Sequence, residues 1–320
     1  MTSRRARTAV DAAPAPDPAV LRLLAAPHHH TRHSTREPRM PYPKPHTIAE
    51  LTEGILDGTC GPDPKGVTVT SAFWLYHTTR LAGGEVTYHN HYLLLRVGEG
   101  FGACSFEAGE LGPDFCENAS GFTLDTLLRS EIPAVRVAAL DAYLSRVRPH
   151  REAEEAEPVT LPTGTPEVRA RARDAAVAEL LDLEPDARVA LIGVVNPLIE
   201  AIHDRGGVCL PCDLNLRTTQ WGEPVSDDMT EVLEQADAVV ATGMTLGNGT
   251  FDLILEHCRR HDVPLVVYAQ TGSAVARAFL SSGVTALSAE TFPFSQFSAD
   301  ATVLYRYRAD GSTTKLEEAS

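Results

Sequence analysis

Aromatic residues are scarce, at 6% of the 320 positions, and only two are tryptophan. Single-stranded nucleic acids are gripped by stacking bases on aromatic rings, so that partner class is disfavoured. A net charge of −15 also opposes a phosphate backbone. No run of 18 apolar residues occurs, so no membrane-spanning helix is expected. The first 45 residues lack an apolar stretch followed by a small-residue cleavage site, and a secretory signal is not expected there. Six cysteines are present without a paired spacing pattern, and a reducing, cytoplasmic setting with free thiols is the default. The pattern GxGxxG, which cradles a dinucleotide pyrophosphate, is missing as well.

What remains is an ordinary globular composition, with 43% apolar and 22% charged residues. A length of 320 residues suits two domains. Residues 1–45 are Pro-rich and aperiodic, and hold eight Lys/Arg against three Asp/Glu. They read as a disordered basic tail. The tract His28, His29 and His30 could bind a metal, but a flexible native tract is the better reading.

Residues 46–148 read as a small α+β domain. Thr47-Ile48-Ala49-Glu50 is a capping-box pattern opening a helix. Strands are expected at 67–77, 86–97 and 101–107, with Gly98-Glu99-Gly100 turning the second into the third. Helices are expected at 123–129 and 133–147, the latter with Val137, Leu140 and Leu144 on one face. Residues 149–164 are acidic, carry Pro and Gly, and read as a linker. Residues 165–320 then alternate short apolar strands with helices, beginning with Thr165 as a cap and Pro166 in the first turn. That rhythm predicts an α/β, Rossmann-like domain built on a doubly wound parallel sheet.

Ligands of such sheets bind beyond the carboxyl ends of the strands. The loop at Gly193 to Pro197 has one glycine and a proline at the helix start, so it suits a ligand without a diphosphate. Asp213 follows Gly193 by 20 residues, where Rossmann-type sites bind ribose hydroxyls. The 242–250 loop offers Thr242, Gly243, Thr245, Asn248 and Thr250 at a helix start. With Gly193, Asn196 and Asp213, these form the expected cofactor-binding set. Together they suggest an adenosyl compound such as S-adenosylmethionine. Its sulfonium is an activated leaving group, so group transfer or cyclisation of the aminocarboxypropyl arm would require mainly positioning and charge tuning. Tyr88, Tyr92, Glu107 and Tyr268 are the candidate catalytic groups facing the cation.

The rival reading is a non-catalytic heavy-metal or metallophore binder. His89 and His91 are two apart on a strand and share a face, with Cys104, Glu107, Asp114, Cys116 and Glu117 nearby in sequence. Cys209 and Cys212 form a single CxxC, which alone falls short of the four ligands of structural zinc. A scaffold subunit with a vestigial pocket is a third reading. A small molecule is the expected partner, and a homodimer is allowed but not required.

Three segments also carry a family resemblance: VALIGVVNP at 189–197, ADAVVATGMTLGNGT at 236–250 and GVTALS at 283–288. PAVRVAALDAYL at 133–144 looks like the helix that closes a small leading domain. On these the chain resembles the Rossmann-like heavy-metal chelation domain family, of unknown function, which carries an enolase-N-terminal-like domain in front. The resemblance implies the two-part fold over residues 45–295. The chain departs from it by carrying Asp141 where Asn is expected.

Overall fold

The structure, a computed structural model, describes residues 44–80, 87–280 and 282–309. The expected tail at 1–45 lies outside the described residues, apart from Lys44 and Pro45.

Helix α1 (Ile48–Leu56) starts where the capping pattern placed it. The Thr47 Oγ1 accepts the Glu50 N–H at 3.1 Å, and the Glu50 carboxylate accepts the His46 N–H at 2.7 Å. Strands β1 (Ser71–Arg80), β2 (Thr87–Val97) and β3 (Gly100–Phe106) follow as an antiparallel sheet in that order. Short helices α2 (Phe115–Ala119) and α3 (Leu124–Leu128) lead to α4 (Pro133–Val147).

Helix α4 differs from the one-sided helix expected. Its residues from Val137 to Leu144 are all buried, so it is covered all round. One side meets β3 so closely that a Cβ on Gly102 would lie 1.9 Å from the Ala142 backbone nitrogen. The other side meets the large sheet's helix at 273–277 through Asp141. The two Asp141 carboxylate oxygens accept the N–H groups of Ala103 and Ala274, each at 2.8 Å. Two acceptors facing two backbone donors explain why Asp rather than Asn occupies this position, since an amide presents one acceptor and one donor.

The second sheet has seven strands in the order β4-β10-β9-β8-β7-β5-β6. Strand β4 (Glu157–Leu161) lies inside the stretch expected to be a linker. That expectation is corrected: residues 157–161 pair antiparallel with β10 (Thr302–Arg308) and close an edge of the sheet. The acidic composition masked the strand because an edge strand leaves one side to solvent. Helix α5 (Pro166–Ala178) begins on the Thr165 cap. The winding continues through β5 (Arg188–Ile192), α6 (Asn196–Asp204), β6 (Val208–Cys212), α7 (Met229–Glu234) and β7 (Ala238–Thr242). It ends with α8 (Met244–Gly247), α9 (Phe251–His261), β8 (Leu265–Ala269), α10 (Ser273–Arg277) and β9 (Ala286–Glu290).

Strands β5 to β9 are parallel, as expected, and β10 and β4 add an antiparallel edge. From β5 the chain moves outward to β6, then returns across β5 to β7. The strand order therefore reverses between β5 and β7, which is the topological switch point of a doubly wound sheet. The small and large sheets share one apolar core that includes Leu93, Leu140, Val239 and Phe279. Among the described residues no helix is long and apolar enough to cross a membrane.

Candidate functional site

At the switch point a cleft of about 500 Å³ opens between the strand ends of the large sheet and strand β2. That volume falls within the range of small-molecule sites. The loops after β5 and β7 meet at its centre. Gly193 has φ +89°, and a Cβ there would fall 2.3 Å from the Thr242 Oγ1. Only glycine allows the two loops this approach. Gly193, Thr242 and Gly243 all line the cleft, as does Asp213 at the end of β6.

Asp213 is more committed than the ribose reading requires. Its Oδ2 accepts the Val194 N–H at 3.0 Å, and its Oδ1 accepts those of Asn215 and Leu216 at 2.8 and 3.0 Å. A carboxylate offers about four acceptor sites, and three are filled. Asp213 therefore staples the β5 and β6 loops, and capacity for about one further donor remains. A two-hydroxyl grip on ribose does not fit.

Four other members of the expected cofactor set sit outside the lining. Asn196 is buried and ties β2 to the 213–228 loop: its Nδ2 donates to the Tyr88 hydroxyl at 2.5 Å, and its Oδ1 accepts the Gln220 N–H at 3.1 Å. The Thr245 hydroxyl donates back to the Thr242 carbonyl at 2.7 Å. Asn248 accepts from the Thr250 N–H and hydroxyl at 3.1 and 2.7 Å. The short helix α8 carries Thr245, Asn248 and Thr250 away from the cleft, because the chain coils immediately after Gly243.

The four candidate catalytic residues do line it. On β2, Tyr88 and Tyr92 turn toward the large sheet, Tyr88 to Asn196 and Tyr92 to the Gln296 Nε2 at 3.5 Å. Burial raises all three phenols: Tyr88 upward, Tyr92 to about 12 and Tyr268 well above its ordinary value. They are neutral hydroxyls near pH 7, suited to hydrogen bonding rather than to acting as bases. The Glu107 carboxylate accepts from the Asn215 Nδ2 at 3.2 Å.

The deep wall is built by residues that the sequence did not mark. Arg173 on α5 forms a two-pronged pair with its neighbour Asp174, at 2.7 and 3.1 Å, and lies 5.1 Å over the Tyr268 ring. Behind it the buried Glu290 accepts the Ser295 N–H and the Gln270 Nε2, the latter at 2.7 Å. Gln270 and Gln296 exchange amide hydrogen bonds at 2.7 and 3.1 Å. The fully buried Arg169 fixes the 295–302 segment through the carbonyls of Ser295 and Asp300 and the Thr302 hydroxyl. His77 also lines the cleft; burial lowers its pKa, and its Nδ1 has no partner among the described residues.

Residues 176–311 match the family model described as "DUF364: Putative heavy-metal chelation". That stretch of the chain is similar to the DUF364 domain. No curated protein matches the chain. Two solved DUF364 structures, both of proteins with unknown function, share its fold. One from Desulfitobacterium hafniense is 16% identical with a TM-score of 0.50, covering 75% of this chain and 84% of its own. One from Pyrococcus horikoshii is 13% identical with a TM-score of 0.51, covering 81% of this chain and 98% of its own. Both alignments extend well beyond the family-model match, so the shared fold includes more than the DUF364 domain.

The family description raises metal binding, and the donors among the described residues do not fit it. Among the described residues no three His, Cys, Asp or Glu come together as a metal ion would need. His89 and His91 do share a strand face, but Tyr76 stacks on both rings, at 6.1 and 4.7 Å, and its hydroxyl bonds the His89 Nδ1 at 2.8 Å. Cys209 and Cys212 are three apart on β6, which sends them to opposite faces and into different apolar clusters. Burial raises their thiols to about 12 and 11, against the thiolate form that metals bind. Cys104 is buried, and Cys116 is raised by burial too. His28, His29 and His30 lie outside the described residues.

Proposed function

We propose that the cleft beside the strand ends of the DUF364-like stretch binds a small organic cation, and that an adenosyl sulfonium, S-adenosylmethionine first, is the ligand class it suits. The observation that carries this reading is the charge balance. Glu107 and Asp213 line the cleft, and Asp174 and Glu290 stand directly behind the lining. These four carboxylates stand with two guanidiniums, Arg173 in the lining and the buried Arg169 behind it. A cleft dominated by one sign concentrates ligands of the other. Tyr88, Tyr92 and Phe106 add ring surfaces that favour a cation. The strand-end position and the absence of a diphosphate cradle at 193–197 fit an adenosyl compound better than a dinucleotide.

Such a ligand brings its own leaving group. The protein's share of a group transfer or cyclisation would be to orient the arm, exclude water and balance the positive charge. Calorimetry on the full chain with S-adenosylmethionine, S-adenosylhomocysteine and methylthioadenosine tests the reading. The charged sulfonium should bind at least about tenfold more tightly than the neutral thioether, about 1.4 kcal/mol. No heat and no thermal shift with any of the three at millimolar concentration would refute the adenosyl assignment.

A further inference from the structure

We infer that the deep end of the cleft is a carboxylate seat formed by Arg173 and the Tyr268 hydroxyl, so that the ligand carries a carboxylate, as an amino-acid end does. The inference rests on the cleft being a ligand site, and extends that reading to two groups it did not use.

A guanidinium has five N–H donors. In Arg173 the Nε and one Nη2 hydrogen are spent on Asp174, and Nη1 reaches only the Ser295 Oγ, at 3.4 Å. The remaining donors have no partner among the described residues, although Arg173 is 8% exposed and lines the cleft. The Tyr268 hydroxyl takes part in no hydrogen bond among the described residues, although Tyr268 is 6% exposed and also lines the cleft. Buried polar groups are normally paired, and two side chains with unspent donors that line one cleft, the guanidinium carbon 5.1 Å from the phenol ring, call for an acceptor from outside.

The arrangement is also rigid. Asp174 is fully buried and grips one edge of the fork, and the Tyr268 ring supports its face at 5.1 Å. The open edge is planar and suits a carboxylate. Tyr268 is flanked in register by Thr242 on β7 and Ser288 on β9, and both of those hydroxyls also lack partners among the described residues. The Thr242 oxygen lies under Gly193, so the seat is assigned to Arg173 and Tyr268 alone. Asp174 already offsets the Arg173 charge, so the seat works by directed hydrogen bonds, and the cationic part of the ligand answers Glu107 and Asp213, which also line the cleft.

The test is calorimetry on the full chain with two matched pairs of probes. The pairs are S-adenosylmethionine with its decarboxylated amine, and L-methionine with 3-(methylthio)propylamine. In the wild type the carboxylate-bearing member of a binding pair should be at least about tenfold tighter. Arg173→Lys keeps the charge that Asp174 needs but loses the fork, and should reduce that preference to about threefold or less. Tyr268→Phe removes a hydroxyl without a protein partner. It should weaken the carboxylate probe by about threefold or more while leaving the melting temperature of the unliganded protein unchanged, which a purely structural role would not do. Equal binding of S-adenosylmethionine and its amine overturns the seat and leaves the adenosyl reading standing. Binding of methionine that depends on Arg173, with no binding of S-adenosylmethionine, does the reverse. No binding of either carboxylate probe at about 10 mM overturns the seat.

Discussion

Replacing Asp213 with alanine should destabilise the protein, and by an amount that can be worked from its contacts. The carboxylate holds three backbone N–H groups, those of Val194, Asn215 and Leu216. Asn215 is exposed, so water can replace that bond at small cost. The Val194 and Leu216 bonds are partly buried, and their donors would lose a charged acceptor. Bonds to charged groups contribute about 1.5–3 kcal/mol each, and partial solvent access brings them toward the lower end. The expected loss is about 2–3 kcal/mol, or roughly 3–6 °C in melting temperature for a chain of this size. Asp213→Asn can keep its oxygen on Asn215 and Leu216 and lose only Val194, so it should cost about 1 kcal/mol. Urea denaturation of the three proteins, with m-values compared to confirm the same exposed surface, checks the order. If Asp213→Ala matches the wild type within about 0.5 kcal/mol, Asp213 is not a staple, and its carboxylate is free for a ligand. The alanine variant is also a poor probe of ligand contact, because unhooking the Val194 loop disturbs the cleft wall. The asparagine variant is the better one.

Burial raises the pKa of Asp141 to about 7, against the backbone N–H groups that lower it. The folded form therefore binds a proton that the unfolded chain, titrating near 3.9, has already released. This contribution to stability is complete below about pH 4 and is lost as the pH rises through about 7. Urea midpoints measured from pH 4 to 8 should decline over that window in the wild type and flatten in Asp141→Asn, which is also less stable at low pH by about 1–3 kcal/mol because its amide turns a donor toward a backbone donor. Burial raises all six thiols, so they should react slowly with a disulfide reagent at pH 8 in the native state and label completely, without reductant, once unfolded; mass spectrometry counts the labels. A His89→Ala, His91→Ala double variant should leave the metal content of the purified chain unchanged by plasma mass spectrometry, since Tyr76 stacks on both rings.

The parallel half of the large sheet was legible because its strands are short and apolar on both faces, as in VALI at 189–192 and AVVAT at 238–242. The antiparallel edge was not. Strand β4 (EPVTL) has one proline and three exposed positions, and β10 (TVLYRYR) alternates weakly near the end of the chain. Both depend on a partner far away in sequence. The separation of the chain into two parts was legible as two sheets, but the shared core was not. Helix α4 reads as one-sided until β3 and α10 are seen to enclose it.

The candidate site divides in the same way. Loop residues announced themselves: Gly193, Thr242 and Asp213 occupy strand ends, where a parallel sheet exposes its ligand-facing backbone. Arg173 did not. It sits in the run RARARD on α5, which by composition is a solvated helical face. The structure buries Arg169, Arg173 and Asp174 instead, and leaves Arg171 to surface pairs with Glu167 and Glu200. Spacing could have raised the question, since Arg169 and Arg173 are one turn apart and share a face with Ala170, Ala176 and Val177. Burying three charges on one helix face is costly unless each is matched. Arg169 is matched by carbonyl oxygens of the 295–302 segment, and Asp174 by Arg173. Arg173 alone among the three keeps donors turned to the cleft without a partner among the described residues. Apolar side chains could serve stability alone at these positions, and in the carboxylate-seat proposal a ligand would occupy the open donors of Arg173.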